Sequence, residues 1–159
     1  MEHHHKQDND INNRGDFKLA INVKKVMDDY LIAWNSHDIN KILSFFADDG
    51  VYEDVAHGIT NHGKKEITGY LNTSFIDFPD LKVEVKTILA NGEWIVFEIV
   101  TSGTHAHSSM PEVQATGKTF SIRAVSVFKM SKGKISRQSE YYNYATLLQQ
   151  VGLMPAQPK

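Results

Sequence analysis

Cysteine is absent from the 159 residues, and long hydrophobic runs are absent as well. Without thiols the chain has no disulfide framework and no thiolate nucleophile, which fits an intracellular protein. No run approaches the roughly 20 apolar residues of a membrane-spanning helix, and the polar N-terminus lacks a signal-peptide core. We therefore expect a cytoplasmic protein that does not cross a membrane.

The sequence also lacks an excess of charge of one sign. The formal net charge is −2, and lysine and arginine are scattered along the chain. A protein that binds a phosphate backbone needs a concentrated basic surface, so nucleic acid is not an expected partner. Hydrophobic residues make up 41% of the chain, which is enough to form the core of one globular domain.

We expect that domain to cover residues 16–155, with tails at residues 1–15 and 156–159. The first tail is polar and aperiodic, which indicates disorder. Its run of three histidines is better explained as a tag remnant or a solvated tail than as a metal site. The remaining histidines lack the spacing of zinc ligands, so no metal is expected. No cofactor is expected either.

One stretch, Tyr30 to Asp54, organises the chain and reads YLIAWNSHDINKILSFFADDGVYED. Tyr30 and Trp34 lie on the apolar stripe of an amphipathic first helix. Asp38 is well placed as the N-cap of a second helix, which we expect to end at residues 47–50.

The end of this stretch carries a pair of acidic residues. From Val51 to Val55 the hydrophobic period changes towards two, which is typical of a β-strand. Tyr52 and Asp54 then share one face of the strand, and Glu53 lies on the other. Only one of the two acids can therefore point inwards.

The rest of the chain predicts one more long helix and then a sheet. Apolar residues spaced three or four apart, including Tyr70, indicate the third helix, which ends near the Phe-Pro-Asp at residues 78–80. Asn91-Gly92 is a hairpin signal in which both turn positions need positive φ. Four long strands are predicted in alternating or apolar segments: Leu81–Leu89, Trp94–Thr104, Phe120–Met130 and Ile135–Tyr142.

This order of elements predicts an α+β fold, in which a cone-shaped, curved antiparallel sheet wraps around three N-terminal helices. Such a cystatin-like α+β barrel encloses a pocket. Glu98 is expected either inside that pocket or paired with Arg123 at a dimer interface, and the pairing is favoured. The open sheet face carrying Val125 and Val127 predicts a homodimer, because a large apolar patch rarely stays exposed.

Several motifs together resemble the SnoaL-like branch of the nuclear transport factor 2-like superfamily, over roughly Phe17 to Pro155. They are Tyr-x3-Trp-Asn-x-His-Asp, Phe-Phe-Ala-Asp-Asp-x-Val-Tyr-Glu-Asp, Phe-Pro-Asp-Leu, Ser-Gly-Thr-His, Thr-Gly-Lys-x-Phe, Gly-Lys-Ile and Tyr-Tyr-x2-Ala-Thr-Leu-Leu. This superfold carries isomerases, cyclases and other enzymes as well as non-catalytic binding modules.

The resemblance also implies roles for individual residues. Tyr30 and Asp54 match the oxyanion-hole tyrosine and the base of ketosteroid isomerases. Glu140 falls at the acid/base aspartate of SnoaL-type polyketide cyclases. Ser126 stands where the isomerases have a second oxyanion donor and the cyclases a pocket histidine, which weakens the steroid-isomerase interpretation.

These residues predict a cofactor-free isomerase or cyclase acting on a small hydrophobic carbonyl compound. Removing a proton beside a carbonyl needs a base, here Asp54 or Glu140, and an oxyanion donor, here Tyr30. A burial-raised carboxyl pKa would suit that work. Further residues are expected to contact the substrate: Trp34, His105, Ser126, Phe46, Tyr70 and Tyr142.

A non-catalytic small-ligand-binding or dimerisation module of the same fold is the alternative. In that case Asp54 caps a backbone turn before His57, and Glu140 lies in water at the pocket mouth. A pocket filled by phenylalanines, namely Phe46, Phe75, Phe120 and Phe128, would favour this alternative.

Overall fold

The structure is a computed structural model that describes residues 22–156 and residue 158. The predicted N-terminal tail, with its three histidines, lies outside the described residues. The described residues form four helices: α1 over residues 22–35, α2 Ile39–Ser44, α3 Gly63–Asp77 and α4 Tyr144–Gln150. None of the described helices has the length and apolarity needed to cross a membrane.

The predicted helical stripes form the buried faces of α1 and α3. Met27 and Tyr30 of α1 and Ile67 and Leu71 of α3 are buried in one core. The predicted cap of α2 is confirmed, because the Asp38 carboxylate accepts a hydrogen bond from the Lys41 backbone N–H at 3.1 Å.

Six strands in the described part of the chain form one mixed sheet against these helices. They are β1 Phe46–Asp54, β2 Ile59–His62, β3 Lys82–Asn91, β4 Trp94–Thr104, β5 Thr119–Ser131 and β6 Lys134–Tyr142, in the spatial order β2-β1-β6-β5-β4-β3. The predicted α+β class with a curved sheet around the helices is confirmed. The sheet is mixed where an antiparallel one was predicted, because the pair β1–β6 is parallel. Among the described strands β2 and β3 form the two edges, so the sheet is open.

The start of β1 differs from the prediction. Residues 47–50 were expected to end a helix, but they belong to a strand that begins at Phe46 and pairs with Ile135 of β6. The register is irregular between Phe46 and Val51, so non-local pairing overrides the local helical period here. Phe46 is only 1% exposed and packs in the core. It was expected to contact the substrate, but it does not line the pocket.

The predicted hairpin between β3 and β4 is confirmed, but its turn is displaced by one residue. Asn91 and Trp94 pair, so the central residues are Gly92 and Glu93. Among these only Gly92 has positive φ, at +59°, as in a type II′ turn. The β5–β6 turn has positive φ at Lys132 and Gly133.

The convex sheet face has the composition that suggested a dimer. Val125 and Val127 are half-buried there, and Trp94 and Tyr141 are exposed. Glu98 lies on this face and pairs with Arg123 at 3.3 Å, so the favoured pairing is present and Glu98 does not line the pocket. The homodimer itself stays a prediction.

The irregular segment of β1 generates a test of the fold. A Cβ at Gly50 would lie 2.9 Å from the Ala47 carbonyl oxygen and 3.1 Å from that of Ile135. We predict that Gly50→Ala lowers the free energy of unfolding by about 1–3 kcal/mol, measured by urea denaturation, because backbone has to move. The control is Gly69→Ala in α3, whose Cβ meets nothing within 4 Å. It should raise stability by up to ~1 kcal/mol, and equal effects of the two changes would contradict this account.

Candidate active site

A cavity of about 800 Å³ lies between the concave face of the sheet and the helices. Its wall is largely aromatic and aliphatic. Phe120 and Phe128 form part of that wall without filling the space, and Phe46 and Phe75 do not line it. The phenylalanine-filled pocket that would favour a binding module is therefore not what the chain forms.

The parallel pairing of β1 with β6 creates a block of four side chains in the cavity. Tyr52 stands beside Gln138, and Asp54 stands beside Glu140. All four are buried and line the cavity. Ser126 of β5 pairs with Glu140 from the other side. Since neighbouring strands are about 4.8 Å apart, the two predicted carboxylic acids are brought side by side.

Glu140 is a buried carboxyl group with two hydrogen-bond donors. Its Oε1 accepts from Gln138 Nε2 at 2.6 Å, and its Oε2 accepts from Ser126 Oγ at 2.8 Å. Burial raises the pKa of Glu140 to about 7, Asp54 raises it as well, and the two hydrogen bonds act in the opposite direction. Glu140 is 8% exposed, so it is not a solvated group at the pocket mouth. Both of its protonation states are populated near neutral pH.

Asp54 is 2% exposed and accepts three hydrogen bonds. Its Oδ2 accepts from the hydroxyl groups of Tyr70 at 2.7 Å and Tyr142 at 2.9 Å. Its Oδ1 accepts from the His57 backbone N–H at 3.0 Å. Asp54 thus caps the turn and also lines the cavity, and its predicted role as a base stays a prediction.

The other acid of the pair points away from the cavity, as the strand pattern predicted. Glu53 accepts a hydrogen bond from Ser139 Oγ at 2.9 Å and lies 3.7 Å from Arg137 Nη1. It is therefore separate from the Asp54–Glu140 pair.

Tyr30 reaches Glu140 through an intermediate residue. Its hydroxyl donates to Gln138 Oε1, and Gln138 in turn donates to Glu140. Burial, the largest cause, raises the pKa of Tyr30 well above its ordinary value. Sequence reasoning missed Gln138, although its position two residues before Glu140 in a strand places it on the same face.

Two further predicted residues line the cavity. Trp34 stacks on Tyr52 with ring centroids 6.2 Å apart. His105 lies where β4 ends, opposite the start of β5, away from the carboxyl pair, and its Nδ1 accepts from the Thr116 backbone N–H at 3.2 Å. A neutral His105 therefore carries its proton on Nε2. Within residues 22–156, no cluster of acidic, histidine or cysteine side chains could hold a metal ion.

Comparisons with known proteins agree with this architecture. The family model described as SnoaL-like polyketide cyclase matches residues 24–151. A Catenulispora acidiphila protein with a ketosteroid isomerase-like fold, solved with trimethylamine, is 21% identical with a TM-score of 0.70, over 84% of this chain and 97% of that one. A protein from Xanthomonas campestris, provisionally described as a polyketide cyclase, is 23% identical with a TM-score of 0.73, over 80% and 95%.

A third solved structure is slightly more similar in sequence. AclR from Streptomyces galilaeus, provisionally described as a hydroxylase, is 26% identical with a TM-score of 0.72, over 86% of this chain and 84% of that one. The curated proteins gave no match. The first two likenesses are below 25% identity and establish the fold alone.

The raised pKa of Glu140 predicts pH-dependent stability. The folded state binds the Glu140 proton more tightly than the unfolded chain does. The resulting contribution to the free energy of unfolding is therefore full below the unfolded-chain pKa of 4.5 and is lost as the pH rises through about 7. Between pH 4.5 and pH 8, the free energy of unfolding of the wild type should fall by about 3 kcal/mol more than that of Glu140→Gln.

Urea denaturation across this pH range measures the difference. Glu53→Gln is the control, because it removes a carboxylate from the opposite sheet face and leaves Glu140 in place. It should keep the wild-type pH dependence. Parallel curves for the wild type and Glu140→Gln would show that Glu140 does not titrate in this range.

Proposed function

Because the chain belongs to the SnoaL-like polyketide cyclase family, we propose that it is a cofactor-free enzyme that cyclises or isomerises a small hydrophobic carbonyl compound. The observation that carries the proposal is the pairing of Asp54 with Glu140 in one apolar cavity, with the pKa of Glu140 raised to about 7. Such a carboxyl group can both accept and return a proton at neutral pH.

Glu140 is the proton carrier in this proposal. Each of its oxygens accepts one hydrogen bond and has a lone pair left for a substrate proton. The ionised carboxylate removes a proton from a carbon beside the substrate carbonyl, and the C–H electron pair moves to give the enolate. In a cyclisation the enolate carbon attacks a second carbonyl, whose π electrons move to its oxygen, and that oxygen takes the proton back from Glu140. In an isomerisation Glu140 instead returns the proton to another carbon of the enolate.

Asp54 has a different role in the proposed reaction. Its Oδ2 is already occupied by two phenol hydroxyls, so it is less available than Glu140 for taking a proton from carbon. It holds Tyr70 and Tyr142 at the cavity wall, and it raises the pKa of Glu140. This division of roles favours the cyclase-like over the isomerase-like assignment, since the acid/base group of the cyclases falls at Glu140.

The size and wall of the cavity support the choice of ligand class. A volume of about 800 Å³ is within the range of roughly 300–1,000 Å³ that holds small organic ligands. Its two buried carboxyl groups lie together where β1 pairs with β6, and much of the remaining wall, including Phe78, Leu81 and Ile122, is aromatic or aliphatic. A compact, largely apolar ketone fits this distribution.

The test uses 2-tetralone, a bicyclic ketone whose acidic C–H lies beside the carbonyl, as a probe of proton abstraction. Incorporation of deuterium from D₂O is followed by mass spectrometry. The wild type should accelerate exchange, and Glu140→Gln should lower the enzymatic rate by about 10²–10⁴-fold, the usual contribution of a general base. The wild-type rate should rise with pH through about 7, because the base must be ionised.

Two further variants make the result specific to Glu140. Glu53→Gln, on the other sheet face, should exchange like the wild type. Asp54→Asn should keep measurable exchange with a changed pH profile. Loss of exchange in Asp54→Asn with full activity in Glu140→Gln would support the isomerase-like assignment instead, and no acceleration by the wild type would contradict enzymatic enolisation of this ketone class.

A further inference from the structure

Five tyrosines line the cavity. The hydroxyl groups of three of them already donate to protein acceptors, and a fourth tyrosine lies at the cavity edge. Tyr30 donates to Gln138, and Tyr70 and Tyr142 donate to Asp54. Tyr144 is only half-buried and stacks on the exposed His57 ring. Tyr52 remains, and its hydroxyl has no hydrogen-bond partner among the described residues.

The Tyr52 hydroxyl is nevertheless accessible. Among the described residues, the only buried side-chain nitrogen or oxygen that is both sealed off and unpartnered is Nε1 of Trp34. Since Tyr52 is 4% exposed and lines the cavity, its hydroxyl, which no described residue contacts by a hydrogen bond, opens into the cavity. A buried hydroxyl without a protein partner is available to a ligand, because its desolvation is otherwise uncompensated.

Two aromatic rings pack against the Tyr52 ring, and a hydrogen bond fixes its backbone. It stacks on Trp34, it lies 4.9 Å from the ring of Tyr70, and Asn61 Nδ2 donates to its backbone carbonyl at 3.3 Å. Its position in the β1–β6 block is diagonal to Glu140. A fixed donor near the proton carrier is the geometry that stabilises charge developing on a substrate oxygen.

The proton of Tyr52 also stays on its oxygen. Burial, the largest cause, raises the pKa of Tyr52 well above its ordinary value, and the negative charge of Glu140 raises it further. The phenol is therefore a hydrogen-bond donor over the whole range in which Glu140 titrates.

We propose that the Tyr52 hydroxyl is the donor that binds the substrate's carbonyl oxygen and stabilises the enolate oxygen when Glu140 removes the neighbouring proton. The role that the resemblance assigns to Tyr30 on α1 thereby moves to β1. The ligands recognised are planar ketones and their enol or phenol analogues, with the oxygen at Tyr52 and the reacting carbon at Glu140. This inference rests on the proposed function.

The binding test compares 2-naphthol, which resembles an enol, with naphthalene, which has the same rings and no oxygen. Quenching of the intrinsic tryptophan fluorescence gives both affinities at pH 7. Tyr52→Phe should weaken 2-naphthol binding about tenfold, the effect of losing one hydrogen bond, and should leave naphthalene binding within twofold. Its thermal unfolding should match the wild type, since the lost hydroxyl has no partner in the described part of the chain.

Tyr30→Phe is the matched comparison, because it removes a phenol hydroxyl that already donates to Gln138. It should preserve the preference for 2-naphthol over naphthalene. In the 2-tetralone exchange assay, Tyr52→Phe should lower kcat by about 10²-fold or more, with a smaller change in KM.

The outcomes separate this inference from the proposed function. If Tyr52→Phe binds 2-naphthol and exchanges 2-tetralone like the wild type while Glu140→Gln does not exchange, the donor role is wrong and the proton carrier stands. If the preference is lost in Tyr30→Phe instead, the donor is Tyr30. If the wild type neither binds 2-naphthol nor accelerates exchange, both proposals fail.

Discussion

The parallel pairing between β1 and β6 is the constraint on which the site depends. It joins a strand near the start of the described chain to the last strand, and it sets Tyr52 against Gln138 and Asp54 against Glu140. A slip by one residue would turn these side chains to the opposite sheet face. The register shift in β1 between Phe46 and Val51 comes directly before these pairs. The local distortion therefore sets which β1 side chains lie beside Gln138 and Glu140.

Burying two carboxyl groups side by side is unfavourable unless donors surround them. Five donors do so here. Glu140 receives hydrogen bonds from Gln138 and Ser126, and Asp54 receives them from two phenols and one backbone N–H. These donors come from β5, β6, α3 and the turn after β1, so the surrounding elements jointly hold both acids at the cavity. Ser126, which departs from both enzyme types in the resemblance, acts here as a hydrogen-bond donor to Glu140.

Much of this architecture is encoded in local patterns. The stripes of α1 and α3, the cap at Asp38 and the alternation of the long strands were readable because each depends on residues close in sequence. The face of Asp54 followed from the period of two, and the resemblance pointed to Glu140.

The parts that escaped prediction depend on non-local contacts. Residues 47–50 look helical in isolation, and only the pairing of Phe46 with Ile135 shows that β1 begins there. The residue spacing of no single segment predicts that β1 and β6 are parallel. Nor does it predict that Tyr30 is linked to Glu140 through Gln138. That the Tyr52 hydroxyl has no partner among the described residues becomes evident only when the partners of the other cavity tyrosines are known.

The proposed chemistry depends on one buried carboxyl group that titrates near neutral pH inside an apolar cavity. Carbon-13 NMR of glutamate side-chain carboxyls, with Glu140→Gln to assign the resonance, follows that titration directly. We predict a midpoint for Glu140 at about 7. A midpoint at the ordinary value of 4.5 would contradict it, because Glu140 would then be solvated and could not act as the proposed proton carrier.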